Sequence, residues 1–350
     1  MHNVTRVAGM GLAKKMESAW FRDELGQKGD EKMRIARLKP KWKSSYVHLM
    51  GRVAGEPDWL PFGDVEKEHM IRLWKRLCGY YTMETISFCP MSNHWHAVVY
   101  VRKDPPSPEE AAERYNRYYK DKRYPLKPTN DFDRDKLKVE AKRMNNFSRL
   151  VSEFQQQFTM WYNRVRCPGR RGTLWADRFK SVLVDGQTAL WNCIKYVEMN
   201  PVRAGIVEDP ADYRFSTWGT WCSTGRHPFT GHFHKHLKRA YGMLGRNMNV
   251  ASLDAELQAD MARSIAVENG CTWEEIHQAE EDGREGPAAL LRVKRRVRHW
   301  SDGVIIGSKL FVAEWGTEFY GAERFSKKRL DRLLSEQSEL FSFRRLRMDR

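Results

Sequence analysis

Two histidines one residue apart, at the start of an apolar run, are the feature that most restricts how this chain folds. Residues 90–99 read PMSNHWHAVV, and in a β-strand successive side chains point to opposite faces of the sheet. His94 and His96 therefore project to one side, while Trp95 and Ala97 project to the other. We expect two imidazoles to share one face of a strand.

The neighbouring segments show the patterns of strands and helices. Apolar residues alternate over residues 45–55, as in a strand, and recur at helical spacing over residues 64–81. A Pro-Met-Ser-Asn turn separates two further strand-like runs. The predicted order is strand, helix, two strands, helix, strand and helix, over residues 45–55, 64–81, 84–101, 141–165, 179–184 and 188–201.

Composition divides the chain into three regions. Residues 1–40 are polar and end in a basic stretch, which indicates a basic extension. Residues 41–222 carry the patterns above, interrupted by a charged and proline-containing insertion at about 102–140. Residues 223–350 alternate charged helical patterns with loops, which favours a separate, mainly helical domain. Its basic run at 292–300 either contacts DNA or forms a solvated charged face.

The balance of charge indicates a polyanionic partner. The chain has 61 lysines and arginines against 45 acidic residues, a formal net charge of +16. Nucleic acid is the commonest such partner, and a merely basic, soluble surface is the alternative. The six cysteines have neither disulfide-type nor zinc-type spacing, and the sequence shows no secretion signal or membrane-spanning run. We expect a cytoplasmic protein that does not enter a membrane.

A metal site needs more ligands than His94 and His96, and an isolated pair of this kind is otherwise a hydrogen-bonded structural pair. Tyr196 and Asn200 are four residues apart and therefore lie on one helical face. If that face meets the histidines, two imidazoles and one amide oxygen form an open metal site beside a phenol. The alternative is that Tyr196 is a half-buried packing residue and Asn200 a helix-terminal residue before proline.

Such a site has the groups to cut DNA through a tyrosine. A phenol is a poor nucleophile at its free pKa of about 10, but a divalent cation that polarises the scissile phosphate makes phosphorus easier to attack. Attack gives a 5′-phosphotyrosine link and a free 3′-hydroxyl, and exchange of one phosphodiester for another needs no ATP. Tyr162 is a second candidate nucleophile, although Arg166, rather than a ligand, follows it by four residues.

These motifs resemble those of a known family. NHWHAVV looks like the His-hydrophobic-His strand of the HUH endonucleases. Together, MSNHWHAVVYV, GRRGTLWADRFKSVLV and YVEMNPVRAGIVEDPADYRFSTW are similar to the REP-associated tyrosine transposases, relatives of the single-tyrosine insertion-sequence transposases. The resemblance implies an α+β fold with a ferredoxin-like core, a central antiparallel sheet and flanking helices. It also implies that His94, His96 and Asn200 bind Mg²⁺ or Mn²⁺ and that Tyr196 is the nucleophile.

The family resemblance also implies that the substrate is single-stranded DNA near palindromic hairpins. Residues 161–180 contain six basic side chains against one acid, and cations interleaved with aromatic rings suit an unpaired strand. The expected DNA-binding residues are Arg170, Arg171, Trp175, Arg178, Lys180 and Arg203. A core position is the alternative for Trp175 and its neighbour Phe179, and capping of helix carbonyls is the alternative for Arg203.

Two classes of function remain open. The first is a metal-dependent endonuclease and strand transferase for single-stranded DNA, working as a monomer or a homodimer. The second is a non-cleaving DNA-binding protein, derived from a transposase, that recognises repeats. A replication-initiating or plasmid-mobilising HUH nuclease is a third, weaker alternative, since such nucleases lack the GRRGTLWADRFKS and NPVRAG context. The set of His94, His96, Tyr196 and Asn200 favours the enzyme.

Overall fold

The fold is organised around strand β1 (Ser45–Arg52), which has a neighbouring strand on each side and a hydrophobic core on each face. The computed structural model describes residues 43–56, 59–241, 249–268, 275, 278, 300, 303–326, 330–333 and 339–344. Its strands are β1 (Ser45–Arg52), β2 (Glu84–Pro90), β3 (His94–Val101), β4 (Lys180–Val184), β5 (Gly303–Gly307), β6 (Asp331–Arg332) and β7 (Phe341–Arg344). Within the described residues they form one mixed sheet in the order β2-β3-β1-β4-β5-β7-β6.

The predicted strands of the first half of the chain are confirmed. β1 pairs antiparallel with β3 on one side and with β4 on the other, and β2 pairs antiparallel with β3. The register sets Met50 of β1 opposite His96 of β3 and opposite Lys180 of β4. Residues that pair directly lie on the same face of a sheet, so these three side chains form a row across it.

Helices cover both faces of the sheet. The first group comprises α1 (Asp64–Tyr80), α2 (Pro108–Tyr119), α3 (Asp131–Met144) and α4 (Phe147–Trp161), which runs into a π-helical turn at Tyr162–Arg166. The second comprises α5 (Thr188–Glu198), α6 (Asn200–Arg203), α7 (Thr217–Thr224), α8 (Phe233–Tyr241) and α9 (Val250–Glu268). Two later helices, α10 (Lys309–Tyr320) and α11 (Ala322–Ser326), pack on the same side of the sheet as the first group. In the part of the chain that the structure describes, no helix combines the length and apolar character needed to cross a membrane.

Successive side chains of β1 point alternately into two separate hydrophobic cores. Val47 and Leu49 pack into the core beneath α1 to α4, whereas Tyr46 and Met50 pack into the core beneath α5, α8 and α9. Both sets are buried, as in sheets that carry helices on both faces. The face that carries the two histidines of β3 is the face covered by α5.

The residue between the two histidines fixes which face they take. Trp95 is fully buried in the core beneath α1 and α4, and its indole lies directly over Gly51 of β1. A Cβ at position 51 would come within 2.6 Å of Trp95 Nε1. Glycine is therefore required here, because the large ring needs the space. Trp95 thus anchors one face and leaves His94 and His96 on the other.

The separate, mainly helical domain predicted for residues 223–350 stays a prediction, and the described part of that region contains both helices and strands. β5, β6 and β7 extend the central sheet, and β5 pairs parallel to β4. Residues 38–350 form one compact unit. The short run GVIIG forms β5. Its periodicity alone could not distinguish a short buried strand from a buried helical segment. The predicted extension at 1–40 and the basic run at 292–299 lie outside the described residues.

Glu198, the last residue of α5, is a buried carboxylate that ties this helix to the sheet and to α7. It accepts hydrogen bonds from the Ser87 hydroxyl and from the backbone N–H of Trp218. Burial raises the pKa of Glu198 from 4.5 to about 7. Between these values the folded chain holds more protons at this group than the unfolded chain, so its contribution to stability falls as the pH rises.

We predict that Glu198→Gln becomes progressively more stable relative to the wild type as the pH rises from about 5 to about 8. The glutamine amide can donate to Ser87 Oγ while its oxygen accepts from Trp218, so the variant keeps both bonds without a charge. Circular dichroism melting at several pH values measures the difference in Tm. Buried histidines have the opposite pH dependence but are present in both proteins. A difference that stays constant over this range would contradict the raised pKa of Glu198.

Candidate active site

His94 and His96 project from β3 into the space between the sheet and α5. Their ring centroids are 5.1 Å apart and the ring planes are nearly perpendicular. With metal–nitrogen bonds of about 2.1 Å, two imidazoles on one metal ion have centroids about 5 Å apart. His96 is buried and His94 is half-buried. The spacing of the pair therefore fits a shared metal ion.

Tyr196 of α5 meets this pair. Its ring centroid lies 5.6 Å from that of His96, with the two planes almost perpendicular. The tyrosine side chain is 5% exposed. The structure thus brings the strand face and the helix face together, and the phenol ring of Tyr196 stands beside the imidazole of His96.

A third imidazole, not singled out from the sequence, completes the cluster. His48 of β1 is fully buried, and its ring stacks on His96 at a centroid distance of 5.1 Å. Its Nε2 lies 3.0 Å from Nδ1 of His96, and its ring centroid is 5.7 Å from that of Tyr196. The signal for His48 is its alternation with Tyr46 and Met50, which places it on the histidine face once the pairing of β1 with β3 is known.

The three histidines are held as neutral imidazoles by burial. Desolvation lowers the pKa of His48 to about 3 and that of His94 to about 4, and it holds the pKa of His96 well below its usual value. A neutral imidazole carries one N–H and one lone pair. Each ring therefore has one nitrogen that donates and one that accepts.

The hydrogen-bond partners determine which nitrogen of each ring carries the hydrogen. Nδ1 of His48 is 3.1 Å from the backbone carbonyl oxygen of Trp300, which can only accept, so this nitrogen carries the hydrogen. Nε2 of His48 then accepts from Nδ1–H of His96. His94 donates through Nδ1 to the side-chain oxygen of Asn93, at 2.7 Å. His94 and His96 consequently both keep a lone pair on Nε2, the form that binds a divalent metal.

The donor set suits a metal ion only when oxygen ligands are added. Among the described residues, no group of three or more His, Cys, Asp and Glu side chains has a metal-binding arrangement. Two imidazoles with one amide oxygen leave further positions for water or substrate oxygens, as an open catalytic site requires. Mixed nitrogen and oxygen ligands suit Mn²⁺, and Mg²⁺ accepts the oxygen ligands.

Asn200 is the predicted source of that amide oxygen. It begins α6, one turn beyond Tyr196, and its amide nitrogen donates to the backbone carbonyls of Tyr196 at 2.8 Å and Val197 at 3.2 Å. Oδ1 is therefore the atom of Asn200 that remains to bind a ligand. The same hydrogen bonds are those of a helix-terminal asparagine, so both interpretations weighed from the sequence remain compatible with this geometry.

Arg203 places a positive charge beside the tyrosine. Its Nη1 donates to the backbone carbonyl of Tyr196 at 3.0 Å, and its guanidinium carbon lies 5.2 Å from the centroid of the Tyr196 ring. Carbonyl capping, the alternative considered for Arg203, is thus present. Because this arginine is half-buried rather than enclosed, it contacts the tyrosine and also reaches the surface.

The predicted DNA-binding residues fall into two groups. Arg171, Arg178 and Lys180 are exposed, and Lys180 lies on the same sheet face as His96. Arg170 instead holds its own loop together: its Nη1 donates to the side chain of Asn163 at 2.8 Å and its Nη2 to the carbonyl of Thr173 at 2.7 Å. The DNA contact expected for Arg170 competes with these bonds, which makes a structural role the better interpretation.

Trp175 and Phe179 lie in the core, not on the basic surface. They are 6% and 4% exposed, and Trp175 packs on Phe154 and Phe158. Its indole N–H also donates to the carbonyl of Gln155, at 3.1 Å. The base-stacking role predicted for Trp175 does not fit this position. The reason is that the loop turns back onto β1, where a bridge between residues 53 and 175 buries the ring.

Tyr162, the second candidate nucleophile, lies on the opposite side of the sheet from the histidines. It is buried in the core beneath α1 and α4, with Phe62 and Phe158 as ring neighbours. Burial raises the pKa of Tyr162 to about 12. Of the two tyrosines considered from the sequence, only Tyr196 faces the imidazoles.

Comparison with known proteins adds little to this geometry. No protein-family model matches the chain, and no curated protein matches it. The solved structure of a REP-associated tyrosine transposase bound to a REP hairpin aligns with 57% of this chain and 92% of its own length, with 15% sequence identity and a TM-score of 0.35. A TM-score of this size does not establish a common fold, so the function has to be inferred from the site itself.

The position of Trp175 yields a prediction that separates packing from DNA binding. Trp175→Phe should lower the free energy of unfolding by about 1–3 kcal/mol, since it removes core volume and the indole hydrogen bond. The affinity of the folded variant for single-stranded DNA should stay at the wild-type value. Urea unfolding and fluorescence anisotropy measure the two quantities. A variant with wild-type stability and clearly weakened DNA binding would show that the ring stacks on a base.

Proposed function

We propose that this protein is a metal-dependent endonuclease and strand transferase that cuts single-stranded DNA near hairpins through a tyrosine nucleophile. The observation that carries the proposal is the contact of Tyr196 with His96, whose Nε2 lone pair, like that of His94, remains available for a metal ion. A phenol beside one of two neutral imidazoles that share a sheet face is the arrangement on which the proposal rests.

The reaction exchanges one phosphodiester for another. The oxygen of Tyr196 attacks the phosphorus, the bond from phosphorus to the 3′-oxygen breaks, and the proton lost by the phenol is balanced by the proton gained by the 3′-hydroxyl. When bound by His94, His96 and Oδ1 of Asn200, Mg²⁺ or Mn²⁺ would supply polarisation of the scissile phosphate. The product is a 5′-phosphotyrosine that a free 3′-hydroxyl can attack in the reverse direction, which joins strands.

Positive charges beside Tyr196, on the histidine face of the sheet and in the loop before β4 suit a phosphate backbone. Arg203 contacts the ring of Tyr196, and Lys180 shares the sheet face of His96. Arg171 and Arg178 are exposed in the loop that precedes β4. Cations that follow a backbone supply most of the sequence-independent affinity of a protein for DNA. The basic side chains therefore support DNA as the substrate.

A second candidate function is a DNA-binding protein that does not cut. The burial of Tyr196 favours it, because the ring is 5% exposed and stacks on Trp300 at a centroid distance of 5.9 Å. Little of the phenol is then open to a DNA strand. In this case the histidines and Tyr196 would form a packed polar core. Detection of a covalent protein–DNA adduct separates the two functions.

We predict that Tyr196→Phe abolishes a covalent adduct with hairpin DNA and leaves DNA affinity within about twofold of the wild type. The substitution removes the attacking oxygen and keeps the packing of the ring. Labelled oligonucleotides that contain a hairpin repeat with single-stranded flanks are incubated with Mg²⁺ or Mn²⁺ and resolved on a denaturing gel, and mobility shifts report binding.

Tyr162→Phe is the matched control, because it removes a phenol from the core on the other side of the sheet and should keep the adduct. Wild-type adduct yield from Tyr196→Phe would reject this nucleophile. Binding without any adduct by the wild-type protein, on all repeats tested, would favour the non-cleaving alternative.

We predict that Arg178→Ala weakens binding to single-stranded DNA and reduces the slope of log affinity against log salt concentration by about 1. Without this phosphate contact, the variant releases one fewer counterion from DNA when it binds. Arg134→Ala is the control, since Arg134 is also exposed but lies on α3, outside the basic loop that precedes β4. Salt titrations of both variants by anisotropy make the comparison, and equal slopes for Arg178→Ala and the wild type would contradict a phosphate contact.

A further inference from the structure

His48 lies between the backbone and a candidate metal ligand, and both of its ring nitrogens are engaged. Nδ1 faces the carbonyl of Trp300 at 3.1 Å and Nε2 faces Nδ1 of His96 at 3.0 Å. The side chain is fully buried, and its ring stacks on that of His96. An apolar residue would fill the same core position, so packing alone does not account for a histidine.

The row of two hydrogen bonds, from His96 to His48 and from His48 to the carbonyl of Trp300, can have only one direction. The carbonyl of Trp300 has no hydrogen to give, so His48 must donate to it, and a neutral His48 must then accept from His96. To reverse the row, the carbonyl of Trp300 would have to donate, which it cannot do. His96 is thereby held as the tautomer with its hydrogen on Nδ1.

This direction decides whether His96 can bind a metal ion. In the other tautomer its Nε2 would carry a hydrogen and would have no lone pair for a cation. Hydrogen-bond partners of metal-binding histidines fix the ring and the tautomer in this way, and their loss typically costs about 10–100-fold in metal affinity. Asn93 makes the corresponding contact for His94.

We propose that His48 is a positioning residue that holds His96 in the metal-binding tautomer and orientation, with the backbone carbonyl of Trp300 as the fixed end of the row. The inference rests on the proposed function, since it assigns His48 a role at the same metal site. It also gives Trp300 a part in that site, through its backbone carbonyl.

Two substitutions at His48 separate the hydrogen bond from the packing. His48→Gln keeps an acceptor oxygen close to the position of Nε2, whereas His48→Leu keeps the volume and offers no acceptor. Calorimetric titration with Mn²⁺ should show about 10–100-fold weaker binding for His48→Leu and near-wild-type binding for His48→Gln. Melting curves establish that both variants are folded.

A spectroscopic readout tests the tautomer without a metal ion. In the protein with ¹⁵N-labelled histidine, the signals of His96, assigned through His96→Ala, should show a hydrogen on Nδ1. They should shift towards the other tautomer in His48→Leu and stay unchanged in His48→Gln. A wild-type His96 with its hydrogen on Nε2 would overturn the inference without the need for any variant.

The controls distinguish failure of this inference from failure of the proposed function. If His96→Ala loses Mn²⁺ while His48→Leu binds it like the wild type, the metal site stands and the role of His48 is rejected. If the wild type itself binds no Mn²⁺, the proposed metal site and the inference both fail. His227→Leu removes a histidine outside the site and should bind Mn²⁺ like the wild type, and a loss equal to that of His48→Leu would also reject a specific role for His48.

Discussion

The hydrogen bond between His48 and His96, made beneath the ring of Tyr196, is the interaction on which the candidate site depends. It joins the central strand to its neighbour through side chains, in a place where both imidazoles are buried and neutral. Neutrality gives the bond its direction, since one ring must donate and the other must accept. The direction leaves Nε2 of His96 as an acceptor, and the metal site that we propose depends on that lone pair.

The sheet supplies the rigidity that such a site needs. Trp95, over Gly51, locks the opposite face of β3 into one core, so the alternating histidines have no freedom to rotate to the other side. Glu198 fastens the end of α5 to β2 and α7 two residues beyond Tyr196. The later part of the chain extends the same sheet through β5 and reaches the site through Trp300. Residues far apart in sequence therefore define one small polar region between two apolar cores.

Short-range periodicity was enough to predict the elements that carry the site. Alternation in HWHAVV placed the histidines on one strand face, and the spacing of four between Tyr196 and Asn200 placed them on one helix face. His48 could not be assigned from the sequence, because its partner depends on the register between β1 and β3. The burial of Trp175 and the loop hydrogen bonds of Arg170 could not be foreseen for a related reason: a basic loop with aromatic residues resembles a DNA surface, and only its return to β1 shows which side chains are buried. GVIIG lies in the region predicted to be mainly helical and forms strand β5. A run this short has no period that distinguishes a strand from a buried helical segment.

The most direct test is an anomalous difference map from crystals of the protein soaked in Mn²⁺. Our account predicts one peak within bonding distance of Nε2 of both His94 and His96, on the side of the rings that faces Tyr196, with Oδ1 of Asn200 turned towards it. Well-occupied crystals with no peak at these two nitrogens, or with manganese bound only elsewhere, would contradict it.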